Sequence, residues 1–172
     1  PTRRSSDLAP TKDPRLTAYI DRIRTAARVQ TIWRGQGSAI AKMEAALDRN
    51  EVVGLLIDQD TRTKGVWVDF FGKPAFTPRI VGDLALRRGT PVMSSFVFRR
   101  PDGGLQMRLA RFAPPVRTGD FEADSTAYTQ LMTTAIEQAI REAPHTWVWI
   151  HQRWKTKPAQ TQAQVEPAAA TG

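Results

Sequence analysis

The sequence predicts an α/β fold, a largely parallel sheet with flanking helices. Three observations lead there. Residues 52–57 are an uninterrupted apolar run too short for a helix, as in a strand covered on both faces, and residues 91–98 are apolar enough for another. Segments with apolar residues at helical spacing lie between such runs, several opening on a capping residue. The two kinds of segment alternate along the chain, which is the pattern of strand–helix–strand units.

Taken in order, residues 1–9 (PTRRSSDLA) fit no element that follows and read as a non-native or disordered arm. PTRRSSDL is also what a sequencing-adapter oligonucleotide encodes in one frame, so the native start is expected upstream. One domain then spans residues 10–158. Asp13 caps a helix from Pro14, with Leu16, Ile20, Ile23 and Ala27 on one face. Residues 29–33 are a short strand. Ser38 caps a second helix carrying Ile40, Met43 and Leu47, ended by Asn50. The central strand, 52–57, stops at Asp58-Gln59-Asp60. A polar turn leads to a second apolar run, 66–71, ending at Phe70-Phe71-Gly72.

Thr77 is expected to cap a third helix, with Pro78 at its first position, Ile80, Leu84 and Ala85 inward, and Gly89 as its stop. After the strand 91–98, Asp102-Gly103-Gly104 is a hairpin-type turn, and 105–112 alternates apolar with polar as a half-exposed antiparallel strand does. Residues 124–142 form a long amphipathic helix burying Tyr128, Leu131, Ala135, Ile136, Ala139 and Ile140. Residues 147–150 read as a last strand. Beyond Pro158 periodicity ends, and 159–172 is expected to be a disordered tail.

With no cysteine, the chain has no disulfide, thiolate nucleophile or cysteine-ligated zinc. A net charge of +8 favours acidic partners: nucleic acid, anionic lipid or an acidic carrier protein. No apolar run approaches the roughly 20 residues of a membrane span.

The only histidines are His145 and His151, and the residues five further on are Ile150 and Thr156, so neither is followed at that spacing by a carboxylate. There is no Gly-x-Ser-x-Gly elbow, and Gly35-Gln36-Gly37 is a poor phosphate loop. Asp58 and Asp60 alone make a poor metal site, so no metal is expected. They stand, however, at the carboxyl end of a strand, where open α/β sheets bind ligands. Cations gather at several strand ends: Arg62 and Lys64, Lys73 and Arg79, Arg99 and Arg100, then His151, Arg153, Lys155 and Lys157. Singly, each reads more simply as a solvated surface charge. Together they suit phosphate.

Several motifs combine into a resemblance: Gly54-x-x-x-Asp58-Gln59; Gly65-Val66-x-Val68-x-Phe70-Phe71-Gly72-x-Pro74-Ala75-x-Thr77; Leu84-Ala85-x-x-x-Gly89-x-Pro91-Val92; Arg99-Arg100-x-Asp102-Gly103; and Trp147-x-Trp149-x-His151-x-Arg153-Trp154-Lys155-Thr156-x-Pro158. From about residue 10 to 158 the chain resembles the lipid A biosynthesis acyltransferases, the lauroyl/myristoyl transferases. The resemblance implies an acyltransferase-like fold and acyl transfer from acyl carrier protein to a hydroxyl of the lipid A precursor, an anionic phosphorylated glycolipid. It places that reaction at the cytoplasmic face of the bacterial inner membrane and needs no cofactor.

It also implies roles for residues. Asp58 is the catalytic-site position, holding a catalytic or substrate-binding arginine. Gln59, Asp60, Arg62, Lys64, Phe71, Gly72, Thr77, Arg79, His151 and Arg153 are substrate-binding candidates. Trp67, Phe70 and Phe71 are candidate walls of an acyl channel, with core packing the simpler role. The family's His-x-x-x-x-Asp/Glu motif and membrane helix fall upstream of everything here, and Ala9 stands where the family has arginine. The chain alone is therefore expected to be an inactive C-terminal portion. The rival readings are a basic nucleic-acid-binding module, which lacks any reader motif here, and a glycerolipid acyltransferase of the same superfamily.

Overall fold

The computed structural model describes residues 4–33, 38–60 and 64–158. A three-stranded parallel sheet runs in the order β2-β1-β3, with β1 at Arg4–Leu8, β2 at Val29–Trp33 and β3 at Val52–Gly54. The stretch read as an N-terminal arm thus carries the central strand. Helices α1 (Pro14–Ala26) and α2 (Ala39–Asp48) connect these strands. Their starts are as the sequence predicts: Asp13 Oδ1 accepts from the Arg15 N–H at 2.9 Å, and Ser38 Oγ from the Ala41 N–H at 3.2 Å. Asn50, at φ 57°, turns the chain out of α2. The tail beyond residue 158 and the Gly35-Gln36-Gly37 loop lie outside the described residues.

The strands do not form one largely parallel sheet: only these three are parallel, and the other four lie outside their sheet. Two antiparallel ribbons follow: β4 (Gly65–Phe70) with β5 (Lys73–Pro78), and β6 (Met93–Arg99) with β7 (Leu105–Arg111). Nor is the run 52–57 covered on both faces. Val53 and Leu55 pack on Ile32, Met43 and Leu84, while Val52 and Leu56 face outward, Leu56 with 74% exposed. An apolar run does not say which of its two faces a neighbour will cover. Likewise β6 is not a buried strand, because its side chains alternate between covered and exposed. Helix α1 buries none of its residues.

Thr77 does not cap a helix. Phe71 and Gly72, at φ 55° and 71°, make a two-residue turn of the kind that matches strand twist, and β5 runs back through Thr77 and Pro78. Pro78 sits opposite Gly65, whose missing Cβ lets the strands close: an added one would lie 2.6 Å from the Thr77 carbonyl. Helix α3 (Ile80–Arg88) starts only after Arg79, without a side-chain cap, and stops at Gly89, φ 66°.

Helix α4 (Phe121–Glu142) begins at Asp120, whose carboxylate accepts from the Glu122 and Ala123 N–H groups. It buries Tyr128, Met132 and Ile140 together with a hydroxyl stripe, Ser125, Thr129 and Thr133, and leaves Leu131 exposed. The threonine hydroxyls bond back to carbonyls one turn earlier, at 2.7 and 2.8 Å, which satisfies them without outside partners. Small side chains and Gly82 bring α3 and α4 close, so a Cβ at Gly82 would sit 3.1 Å from Ser125.

Residues 147–150 are not a strand. After a 3-10 turn at Pro144–Thr146 the chain winds through tight turns, with the Trp149 N–H on Trp147 O and the His151 N–H on Val148 O. The four apolar residues do not share one environment: Trp147 turns inward, while Val148, Trp149 and Ile150 are exposed. No helix among the described residues is long and apolar enough to cross a membrane.

Candidate functional site

The chain leaves β3 through Ile57, which packs with Ala85, Tyr128 and Met132, and reaches Asp58-Gln59-Asp60 at the carboxyl end of the parallel sheet. There the last described segment returns to meet it. The Trp147 indole N–H donates to Asp58 Oδ2 at 3.0 Å. Thr156 holds Asp60 with two bonds, its backbone N–H to Oδ2 at 2.6 Å and its hydroxyl to Oδ1 at 2.9 Å. Both carboxylates are thereby tied to the C-terminal motif, while Gln59 between them is half-buried.

Arg153 occupies the middle of this arrangement and is only 1% exposed. Its Nη1 donates to Phe76 O at 2.7 Å and its Nη2 to Thr77 Oγ1, while its guanidinium lies 5.0 Å from the centre of the Phe70 ring. The Thr77 hydroxyl in turn donates a hydrogen bond to Ala75 O, so its acceptor side is left facing Arg153. Burial pushes the Arg153 pKa down, and the Asp58 and Asp60 carboxylates push it back up. An arginine stays cationic at neutral pH all the same. A buried cation facing two carboxylates is the electrostatic core of the site.

Three polar atoms here are buried without a hydrogen-bond partner among the described residues: Asp58 Oδ1, Arg153 Nε and Trp154 Nε1. One acceptor and two donors stand unsatisfied in the same neighbourhood, a costly state unless water or ligand supplies the bonds. Around them Phe70 is the aromatic hub, with Phe71 at 4.8 Å and Trp147 and Trp154 each at 5.7 Å between ring centres. Phe70 is fully buried against Ala75 and Ile140, which is core packing, and Trp67 leans edge-on to Phe76 at 5.4 Å.

Phe71 and Gly72 form the turn beside this hub. The Phe71 N–H donates to Glu137 Oε2 at 2.7 Å, and Arg141 lies 4.7 Å over the Phe71 ring. The same N–H, with Arg141, holds the Glu137 carboxyl below its ordinary pKa. The Gly72 N–H is taken by Asp69 Oδ1.

Arg79 belongs to a second, separate cluster. It is buried, with its Nε on Asp83 Oδ1 at 2.8 Å and its Nη1 on Glu122, and it stacks 5.6 Å from the Phe121 ring. Asp83 also accepts from the Ser125 hydroxyl at 2.7 Å. The hydrogen bond to Glu122 raises the Arg79 pKa and lowers that of Glu122. Only Nη2 is left without a partner among the described residues. Lys64 is exposed next to this pair, and its carbonyl accepts from the Arg79 N–H. His151 is exposed, and Arg62 lies outside the described residues.

Of the residues singled out from sequence, Asp58, Asp60, Thr77 and Arg153 are brought together, with Phe71 and Gly72 adjoining. Trp147, Trp154 and Thr156 were missed as site residues, although the Trp-rich C-terminal motif that contains them was the signal. Asp83 was missed although its i,i+4 spacing from Arg79 was a signal, whereas Glu122, 43 residues away, is visible as a partner only in three dimensions.

The family model for bacterial lipid A biosynthesis acyltransferases matches residues 7–156. This chain belongs to that family. The family match takes in both halves of the site, the Asp58–Asp60 loop and the segment ending at Thr156 that holds it. Membership in the family implies an acyl-transferring enzyme of lipid A biosynthesis. No curated protein matches the chain.

Proposed function

We propose that this chain is the C-terminal portion of an enzyme that moves a fatty acyl group from the thioester of acyl carrier protein to a hydroxyl of the phosphorylated lipid A precursor, at the cytoplasmic face of the inner membrane. The observation that carries the reading is the clamp on Asp58 and Asp60. Two carboxylates beyond the carboxyl end of a parallel strand are both fixed by the C-terminal segment and face a buried arginine. Such fixation serves positioning, since effective catalysis needs groups held within fractions of an ångström.

In the proposed reaction the acceptor hydroxyl oxygen attacks the thioester carbonyl carbon. A C–O bond forms, the C–S bond breaks, and the hydroxyl proton passes through a general base to the departing thiolate. That base is the histidine of the His-x-x-x-x-Asp/Glu motif, which neither His145 nor His151 supplies. Asp58 Oδ1, buried and without a partner among the described residues, is the acceptor for a donor on the substrate or on an upstream part of the site. Gln59 and the exposed Lys64 supply donors and positive charge for acceptor phosphates, with Arg62 and His151 further candidates, whereas Arg79 is buried and neutralised by Asp83 and Glu122. The net charge of +8 favours both the acidic carrier protein and the anionic acceptor.

The test is an acyl-transfer assay on the coding sequence extended upstream, using labelled acyl carrier protein and a phosphorylated disaccharide acceptor. Labelled glycolipid is the expected product. Asp58→Asn should lower kcat by about 100-fold with KM changed far less, the mark of an interaction made in the transition state. An extended enzyme that transfers acyl groups equally well after that substitution removes the proposed role of the clamp. An extended chain that carries the histidine motif and transfers nothing removes the reaction.

A further inference from the structure

The β6–β7 ribbon has two unlike faces. Phe96 and Phe98 point inward, with Arg108 stacked 4.1 Å over Phe98 and bonded through Nη1 to both oxygens of Glu142 on α4. The register places Met93, Val97, Leu105, Met107 and Leu109 together on the other face, with Arg99 at one end and Arg111 at the other. All five apolar side chains are 48–67% exposed, and the only other residue of that face is Ser95. No acid interrupts it. Contiguous exposed apolar side chains on one sheet face, unbroken by any acid, point to an interaction site.

The charges narrow the partner. Arg100 and Arg108 are engaged by Asp102 and Glu142, whereas among the described residues no carboxylate engages Arg99 or Arg111. An apolar stripe with cations free of carboxylates at both ends is complementary to one kind of surface: acyl chains below, phosphate headgroups around the rim. Nucleic acid matches the cations but not the stripe.

We infer that the outer face of the β6–β7 ribbon lies on an anionic phospholipid bilayer, its apolar side chains in the interface and Arg99 and Arg111 among the headgroup phosphates. The ribbon lies flat, because its strand edges carry unpaired backbone groups that stay hydrated at headgroup level and are not tolerated in hydrocarbon. The inference stands apart from acyl transfer, since its readout is lipid binding by this chain.

Two measurements test it. In vesicle co-sedimentation the chain binds phosphatidylglycerol-rich vesicles, binds phosphatidylcholine vesicles far less, and is released by salt. Val97→Thr/Met107→Thr/Leu109→Thr, which keeps β-favouring side chains, lowers the partition by about tenfold, and Arg99→Gln/Arg111→Gln removes the preference for anionic lipid. Second, the chain has no cysteine, so Leu109→Cys carries an environment-sensitive fluorophore at a single position. Its emission shifts to the blue on anionic vesicles, while a Gln138→Cys probe on α4 stays unchanged. A wild-type chain that remains in the supernatant with every lipid overturns the inference. So does a Leu109 probe that stays water-exposed on bound protein, or a triple variant that changes self-association in light scattering while lipid binding is untouched.

Discussion

Trp147 donates its indole N–H to Asp58 at 3.0 Å across 89 residues of sequence, and this bond joins the start of the site to its end. A neutral donor on a carboxylate in a partly buried setting is worth about 1.5–3 kcal/mol. A double-mutant cycle with Trp147→Phe and Asp58→Asn, followed by urea unfolding, is expected to show a coupling of about 1–2 kcal/mol, and additive losses would mean that the bond contributes nothing of its own.

Arg153 is the buried charge on which β5 and the C-terminal segment both depend. Arg153→Met removes donors from Phe76 O and Thr77 Oγ1 and leaves two carboxylates without the cation they face. The expected loss is about 3 kcal/mol, read as a lower urea midpoint at unchanged slope. Arg153→Lys keeps the charge but loses the fork, so its stability should fall between those of wild type and Arg153→Met.

Glu137 ties α4 to the Phe71 turn, and its behaviour with pH has a fixed sign. The Phe71 N–H first, then Arg141, lower its pKa from the ordinary 4.5. A depressed carboxyl stabilises the fold above its unfolded pKa, and that contribution is lost as pH falls through the folded one. Glu137→Gln is therefore expected to destabilise near neutral pH, with the difference from wild type shrinking as pH drops below 4.5. A difference that is constant from neutral to acid pH would show that the charge plays no part.

Gly65 permits the close seating of β4 on β5. Alanine there would place Cβ 2.6 Å from the Thr77 carbonyl and 2.8 Å from the Phe76 ring. Backbone does not yield as a flexible side chain does, so Gly65→Ala should cost about 2–3 kcal/mol in urea unfolding. Gly72→Ala, with nothing within 4 Å of the added Cβ but φ at 71°, should cost about 1 kcal/mol through the backbone alone.

The sequence by itself determined the local elements and the family. Asp13, Ser38 and Gly89 marked helix ends because capping depends on a few adjacent backbone groups, and the hairpin turn at Asp102-Gly103-Gly104 depends on local φ. The motifs also carried the acyltransferase resemblance and drew attention to Asp58 and Arg153. Tertiary structure decided the rest. Thr77 followed by Pro78 satisfies a helix start and an edge-strand end equally well, and only pairing with Gly65 selected the strand. Trp147 to Ile150 is a short apolar run like a strand's, yet among the described residues no strand pairs with it, and the segment turns to place an indole on Asp58. Whether an arginine is a surface cation or a buried clamp depends on which carboxylates arrive from elsewhere in the chain. Arg79 and Arg153 read alike in sequence, and long-range packing added Glu122 to the local Asp83 in one case and supplied Phe76, Thr77 and the Asp58–Asp60 loop in the other.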